Sequence, residues 1–359
     1  MEGFMEEVFE DDFVEVERGL LSEINSVSDY NEIVFPNPVD DGTVDSEVVD
    51  DEIVINVYGR PGGMDSTRKM SKPAVKKISL LGYLGTVKME RDEDGKVVYN
   101  YNPRAWLLQT MLNELGYPTE PDGKFGPKTD EQVKKFQEKN NLVVDGAVGP
   151  KSWKKLILLG RSGISNSTIS NKDYEAAATT LGVEVEVVKA IKDVESGPSG
   201  SFLFSNHPTI LFEGHVFWER LDTLKAHPES FNDSDILYPK WNNDHYVSGV
   251  AEYVRLQKAR DINIDAANAS ASWGLFQIMG KNFEACGCGD VSEFVKRMRM
   301  SEGEQLQLFV NFIKYHHMDR YLRPGKIQWA EFAKRYNGAS YWKHGYHTRL
   351  QKAYENYKG

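Results

Sequence analysis

The chain is 359 residues long, 40% hydrophobic and 27% charged, with a formal net charge of −11, a size and balance that suit two or three soluble globular domains. No run approaches the ~18 apolar residues that span a bilayer, so membrane insertion is not expected. The two cysteines, Cys286 and Cys288, rule out a disulfide-stapled scaffold. The charge is unevenly spread. Residues 1–52 hold 18 Asp or Glu against one basic residue, Arg18, leaving the rest of the chain at +6. Such an acidic segment reads as solvated and partly disordered. It opens MEGFMEEVFEDDF, whereas a secretory signal is first basic and then apolar. Synthesis in a cytoplasm, with export by another route, is therefore the expectation.

In chain order, residues 1–60 form the acidic segment, within which IVINVY (53–58) alternates as a strand does. Residues 61–101 read as a linker followed by β-structure, with Asp94-Gly95 as the turn of a hairpin. From 102 to 160 the pattern turns helical. Trp106, Leu107, Met111, Leu112 and Leu115 share one face of a first helix that Gly116 ends. Val133, Phe136 and Gln137 belong to a second, and Trp153, Leu156 and Ile157 to a third. Residues 161–173, rich in Gly, Ser and Asn, read as a linker. Residues 174–359 are mainly helical and aromatic-rich.

An internal repeat marks the helical segment: DGKFGPKT at 122–129 returns as DGAVGPKS at 145–152. In each copy Asp-Gly offers a turn and Pro starts the next helix, which predicts a three-helix bundle. With the flanking WLLQTMLNELGY and VKKFQEKNNL, the stretch 102–160 resembles the peptidoglycan-binding domain of bacterial and phage wall hydrolases. The resemblance implies that bacterial peptidoglycan is the partner, with Asp122, Asp145 and Trp153 as candidate wall-binding residues.

The larger segment holds two carboxylates in unusual settings. In EVEVVKAIKDVESGPSG (184–200), Val187, Ala190, Ile191 and Val194 mark the buried face of a helix, and Glu195 follows just before Ser196-Gly197-Pro198 stops it. Apolar surroundings and the negative end of the helix dipole both disfavour ionisation there, as a glycosidic general acid requires. Glu213 lies inside the apolar run TILFEGHVFW (209–218), where a charge needs a partner or a task; His215 is a candidate partner. SASWGLFQIMGKNF (270–283) reads either as a tight turn beside a cleft or as a core helix with one satisfied polar residue, Gln277.

VESG, SWGLFQIMG and RYNG (335–338) occur in the order used by the lysozyme-like superfamily. ILFEGHVFW and the aromatic tail YNGASYWKHGYHTRLQKAYENY bring the stretch 174–358 closest to the N-acetylmuramidase domain of phage endolysins. The resemblance implies a mainly α, lysozyme-like catalytic domain behind a small three-helix peptidoglycan-binding bundle and a β-containing N-terminal region. It implies Glu195 as general acid, and Glu213 as base for water or stabiliser of the oxocarbenium-like transition state. Ser272, Gln277, Tyr336 and Asn337 would line the saccharide cleft. No metal or organic cofactor is implied. One departure is Gly214, where family members often carry a basic residue.

The implied reaction is hydrolysis of the β-1,4 bond between N-acetylmuramic acid and N-acetylglucosamine, in a monomeric endolysin released through holin-type pores. A lytic transglycosylase, which needs only Glu195, is the nearest alternative. A virion-associated wall-docking or lysozyme protein, attached through residues 1–100, is another. A zinc enzyme is disfavoured because HEXXH is absent, and nucleic-acid binding because no basic run is interleaved with aromatics.

Overall fold

The computed structural model describes residues 54–55, 78–162, 168–195, 200–338 and 341–359. The acidic segment, apart from strand β1 (Val54–Ile55), lies outside the described residues, as do most of the first linker and residues 163–167 of the second. Strand β1 is the one part of the IVINVY run described, and it pairs antiparallel with β2 (Ile78–Ser79). Residues 74–101 are not wholly β-structure. A short helix, α1 (Leu80–Leu84), buries Leu80, Leu81 and Leu84, and Gly85 closes it in the left-handed region at φ 58°. The expected hairpin follows, with β3 (Glu90–Arg91) paired to β4 (Val97–Val98) across Asp94-Gly95.

The three helices predicted after residue 102 form as α2 (Pro103–Glu114), α3 (Pro127–Lys139) and α4 (Pro150–Ser162), each starting on proline. The repeat is one hydrogen-bond module used twice. Gln109 Nε2 donates to Asp122 Oδ1 and Lys124 O while its Oε1 accepts from Gly123 N. Gln137 does the same with Asp145, Ala147 and Gly146, at 2.9–3.1 Å in both copies. Each buried glutamine ties a helix to the turn that launches the next helix. The glycines of the turns sit at φ 72° and 76°, a region closed to most side chains.

The remaining described residues build the larger part. It contains α5 (Asn171–Leu181), α6 (Val185–Glu195), β5 (Phe202–Phe204), β6 (His207–Pro208), β7 (Ile210–Phe212) and α7 (Gly214–Thr223). Helices α8 (Glu252–Ile262) and α9 (Ile264–Ala269), strands β8 (Ala271–Trp273) and β9 (Ile278–Met279), and helices α10 (Val291–Met298), α11 (Glu302–Tyr315), α12 (Trp329–Asn337) and α13 (Tyr346–Lys358) complete it. The fold is mainly α; inside this larger part lie the two-stranded pair β5-β6 and a three-stranded antiparallel sheet ordered β7-β8-β9. The SASWGLFQIMG stretch is therefore a hairpin and not a core helix.

Both halves share one hydrophobic core running from Leu80 to Leu350. Helix α13 lies along α6 and holds it with tyrosines: Tyr354 donates to Glu184, and Tyr357 to Asp193 at 2.5 Å. Both cysteines are buried thiols. Among the described residues no helix is long and apolar enough to cross a membrane.

The glutamine module generates a stability prediction. Gln137→Ala leaves Gly146 N–H and the Ala147 carbonyl without their partner, and should cost about 1–3 kcal/mol, read as a lowered midpoint in denaturant unfolding.

Candidate active site

Glu195 is the last residue of α6 and is half-buried. The helix forms because Val187, Val188, Ala190 and Ile191 give it one apolar face, and that burial places its C-terminal carboxylate at the edge of the core. Two tyrosines aim the carboxylate. Tyr346 donates to Oε1, and the Tyr336 hydroxyl stands 3.4 Å from Oε2 and 3.3 Å from the Phe276 carbonyl. Both tyrosines are buried, so their positions are set by packing.

Glu213 follows β7 directly and precedes the first turn of α7. Its backbone N–H bonds to the Ser270 carbonyl at 2.9 Å, which fixes it beside the start of β8. Its side chain is 0% exposed. Tyr246 donates to Oε2 at 2.5 Å, and His215 Nδ1 lies 3.4 Å from the same oxygen. Trp241 donates in turn to the Tyr246 hydroxyl at 3.0 Å. Burial, followed by the negative charge of Glu213, pushes the Tyr246 hydroxyl well above its ordinary pKa, so it stays a donor. Burial and, secondarily, Lys281 lower the pKa of His215 to about 4, which leaves its imidazole neutral at pH 7.

The hairpin β8–β9 spans the distance between the two carboxylates, with Ser270 against Glu213 at one end and Phe276 against Tyr336 at the other. Its turn is tightly specified. Gly274 has φ 70°, and a Cβ there would meet the Gln305 amide at 2.6 Å. Gln305, 0% exposed, accepts from Leu275 N at 2.7 Å and donates to the Met298 carbonyl. Gln277 adopts φ 45°, a strained value for a side-chain-bearing residue. Its Nε2 donates to Gly274 O, while its buried Oε1 has no hydrogen-bond partner among the described residues.

The candidate residues therefore separate. Tyr336 stands beside Glu195 as a buried support and not as an open cleft wall, while Gln277 bonds within its own turn to Gly274 O and reaches Thr209 O at 3.3 Å. Ser272 does not line a cleft: it is 2% exposed on the central strand, with Oγ turned to Met279 Sδ at 3.0 Å. Asn337 is buried at the end of α12.

In the bundle, Trp153 is 0% exposed and donates to the Gly85 carbonyl, so it belongs to the core and offers no surface to a wall polymer. Asp122 and Asp145 spend Oδ1 on their own turns, each accepting from the backbone two residues on and from the module glutamine. The open surface here is a cleft of about 310 Å³ lined by Lys88, Glu90, Asn100, Tyr101, Arg104 and Phe125.

Gly214, the departure from the family pattern, has a steric cause. A Cβ there would meet the Tyr238 ring at 2.3 and 2.7 Å and the Ile236 carbonyl at 2.8 Å, and the Gly214 N–H bonds to the Tyr238 hydroxyl at 3.1 Å. The space a basic side chain would need is taken by Tyr238.

Sequence reasoning missed Tyr246, Tyr346, Gln305 and the pair Glu252–Arg255. Glu252 and Arg255 are three apart on α8, a spacing that usually marks an exposed helical pair, yet both are 0% exposed.

Comparison with known proteins agrees with this architecture. The N-acetylmuramidase family matches residues 184–358, and a putative peptidoglycan binding domain matches residues 104–156. The crystallised endolysin of Burkholderia phage AP3 is 33% identical, over 76% of this chain and 99% of that one. Residues 184–358 belong to the N-acetylmuramidase family. The chain is a modular peptidoglycan hydrolase, with a wall-binding domain ahead of a glycosidase domain. The AP3 endolysin superposes with a TM-score of 0.49. An uncharacterised protein from the bpoA1 3′ region of Kitasatospora aureofaciens is 49% identical over 47 residues, which are 13% of this chain and 40% of that relative.

Two predictions follow from the geometry. Gly214→Ala should destabilise by about 1–3 kcal/mol through overpacking and lower lytic activity, checked by denaturant unfolding beside a turbidity assay. His215 and His207, the latter lowered by burial to about 3, have folded pKa values below the unfolded value. Their stabilising contribution is thus complete above about pH 6.5 and is lost as pH falls towards 4 and then 3, at up to about 1.4 kcal/mol per pH unit for each. Melting temperature measured from pH 7 to 4 should fall, and His215→Gln should flatten the upper part of that slope.

Proposed function

We propose that the protein hydrolyses the β-1,4 bond between N-acetylmuramic acid and N-acetylglucosamine, with Glu195 as the general acid. The observation that carries this reading is the placement of Glu195: a half-exposed carboxyl at a helix end, oriented by two buried tyrosines. Protonated, it delivers its proton to the glycosidic oxygen as the bond breaks and positive charge develops on the sugar ring. Glu213 acts as the second carboxylate, stabilising that charge or taking the proton of the attacking water. For either task it must be reached past Tyr246 and Trp241, which cover it. Gln277, strained and with an acceptor oxygen to spare, belongs to the saccharide contacts.

Lytic transglycosylase chemistry is the second reading, and the complete burial of Glu213 favours it. There the sugar's own hydroxyl closes an anhydro ring, and no second carboxylate touches the reacting atoms. The match to the N-acetylmuramidase family favours hydrolysis.

By its likeness to the AP3 endolysin, we read the biological task as bacteriolysis by a monomeric endolysin that leaves the host cytoplasm through holin-type pores. Virion carriage through residues 1–100 is the alternative.

The test is digestion of purified peptidoglycan by wild type, Glu195→Gln and Glu213→Gln, with products identified by mass spectrometry. Reducing muramic ends are expected from wild type, and kcat reduced about 10²–10⁴-fold in Glu195→Gln, with a large loss also in Glu213→Gln. Anhydro-muramic ends, with Glu213→Gln still active, would move the protein to the transglycosylases. Cleaved peptides on intact glycan would refute both.

A further inference from the structure

Residues 80–85, LLGYLG, lie outside both family matches and have no part in the reading above. They form a clamp between the two halves. On the bundle side, Trp153 Nε1 donates to Gly85 O at 3.0 Å and Arg104 Nε to Tyr83 O at 2.8 Å, with the Arg104 guanidinium 5.2 Å from the Tyr83 ring centre. On the catalytic side, α1 packs against the turn Gly249–Ala251, and the Tyr83 hydroxyl donates to Asp235 Oδ2 at 2.5 Å.

Asp235 leads directly to the second carboxylate. Lys258 Nζ shares its Oδ2 at 2.8 Å, and its backbone carbonyl accepts from Arg255 Nε and Nη2 at 3.1 and 3.0 Å. Arg255 also donates to the Phe212 carbonyl at 2.9 Å and to the Tyr238 hydroxyl at 3.3 Å, and Tyr238 accepts from Gly214 N–H. Phe212 and Gly214 are the two neighbours of Glu213. Burial opposes the charge on Asp235, yet the bonds from Lys258 and Tyr83 hold its carboxyl below the ordinary range. Tyr83 thus shares with Lys258 the task of holding Asp235, the first residue of the 235–238 segment that shapes the space around Gly214.

We propose that Tyr83 is a positioning residue: the wall-binding half completes the scaffold that holds Glu213 and Tyr246, so the catalytic half reaches its full rate only with the 80–85 clamp seated. The proposal rests on the reading of Glu213 as the second carboxylate. The structure supplies its own control. Tyr101 also bridges the halves, donating to Asp261 Oδ1 at 3.0 Å on the surface near the far end of α8, with no bond onward to Arg255.

The experiment compares full-length wild type, Tyr83→Phe and Tyr101→Phe. It reads kcat and KM on a soluble peptidoglycan tetrasaccharide, for which wall retention is irrelevant, and amide hydrogen exchange over residues 211–217 and 244–250. Tyr83→Phe should lower kcat about fivefold, the factor for one ordinary hydrogen bond, with KM nearly unchanged and faster exchange in both segments. Tyr101→Phe should change neither. Asp235→Asn, which keeps the tyrosine and alters its acceptor, should reproduce the Tyr83→Phe pattern. Unaltered exchange in Tyr83→Phe, or equal effects from both tyrosine variants, would overturn the proposal. If Glu213→Gln keeps full activity, the role given to Glu213 fails, while the exchange data still decide whether the clamp holds that segment.

Discussion

The buried ion pair between Glu252 and Arg255 is the constraint on which the rest of the catalytic half depends. Neither residue has any exposed surface, and their charged atoms stand 2.8 Å apart. Two charges taken out of water are stable there only if their remaining valences are filled. Here they are filled by backbone. Glu252 accepts from Phe212, Val247 and Ser248 N–H, and Arg255 donates to the Phe212 and Asp235 carbonyls. A hydrophobic pair would fill the same volume without fixing those five groups. The ion pair thereby sets the strand that delivers Glu213, the loop that delivers Tyr246 and the segment that delivers Tyr238.

The two carboxylates receive unlike environments from one short hairpin. At its Phe276 end, Glu195 is half-open and steered by tyrosines from α12 and α13. At its Ser270 end, Glu213 is sealed beneath Tyr246 and Trp241 beside a neutral histidine. The contrast comes from packing and not from residue type, since both are glutamates. The hairpin can impose it because its turn admits no variation: Gly274 lies against Gln305, and Gln277 is held at a positive φ.

Much of the architecture was legible in the sequence, and particular residues show why. The Asp-Gly and Gly-Pro pairs of the repeat dictate turns and helix starts through backbone geometry alone, so the starts of α3 and α4 could be placed from it, while α2 shows in the helical spacing from Trp106 to Leu115. The apolar face from Val187 to Val194 placed Glu195 at a helix end for the same kind of local reason. An aromatic beside a repeat turn has the same spacing whether it points out, as a wall contact must, or in, as Trp153 does. Only the Gly85 carbonyl, 68 residues away, turns it inward. Ser272 differs from expectation for the same kind of reason, since the face of a three-residue strand is set by its neighbours β7 and β9.

By itself, then, the sequence determined the mainly α class, the bundle, and the two carboxylates with their local apolar settings. All of these follow from periodicity, turn chemistry and burial propensity within a few residues. Tertiary structure alone decided that Glu213 is sealed, that Gly214 must lack a side chain, that Tyr346 reaches Glu195 and that Tyr83 reaches Asp235. Those facts join residues 24 to 152 positions apart, and no local rule of spacing encodes a contact that only the packed core brings together.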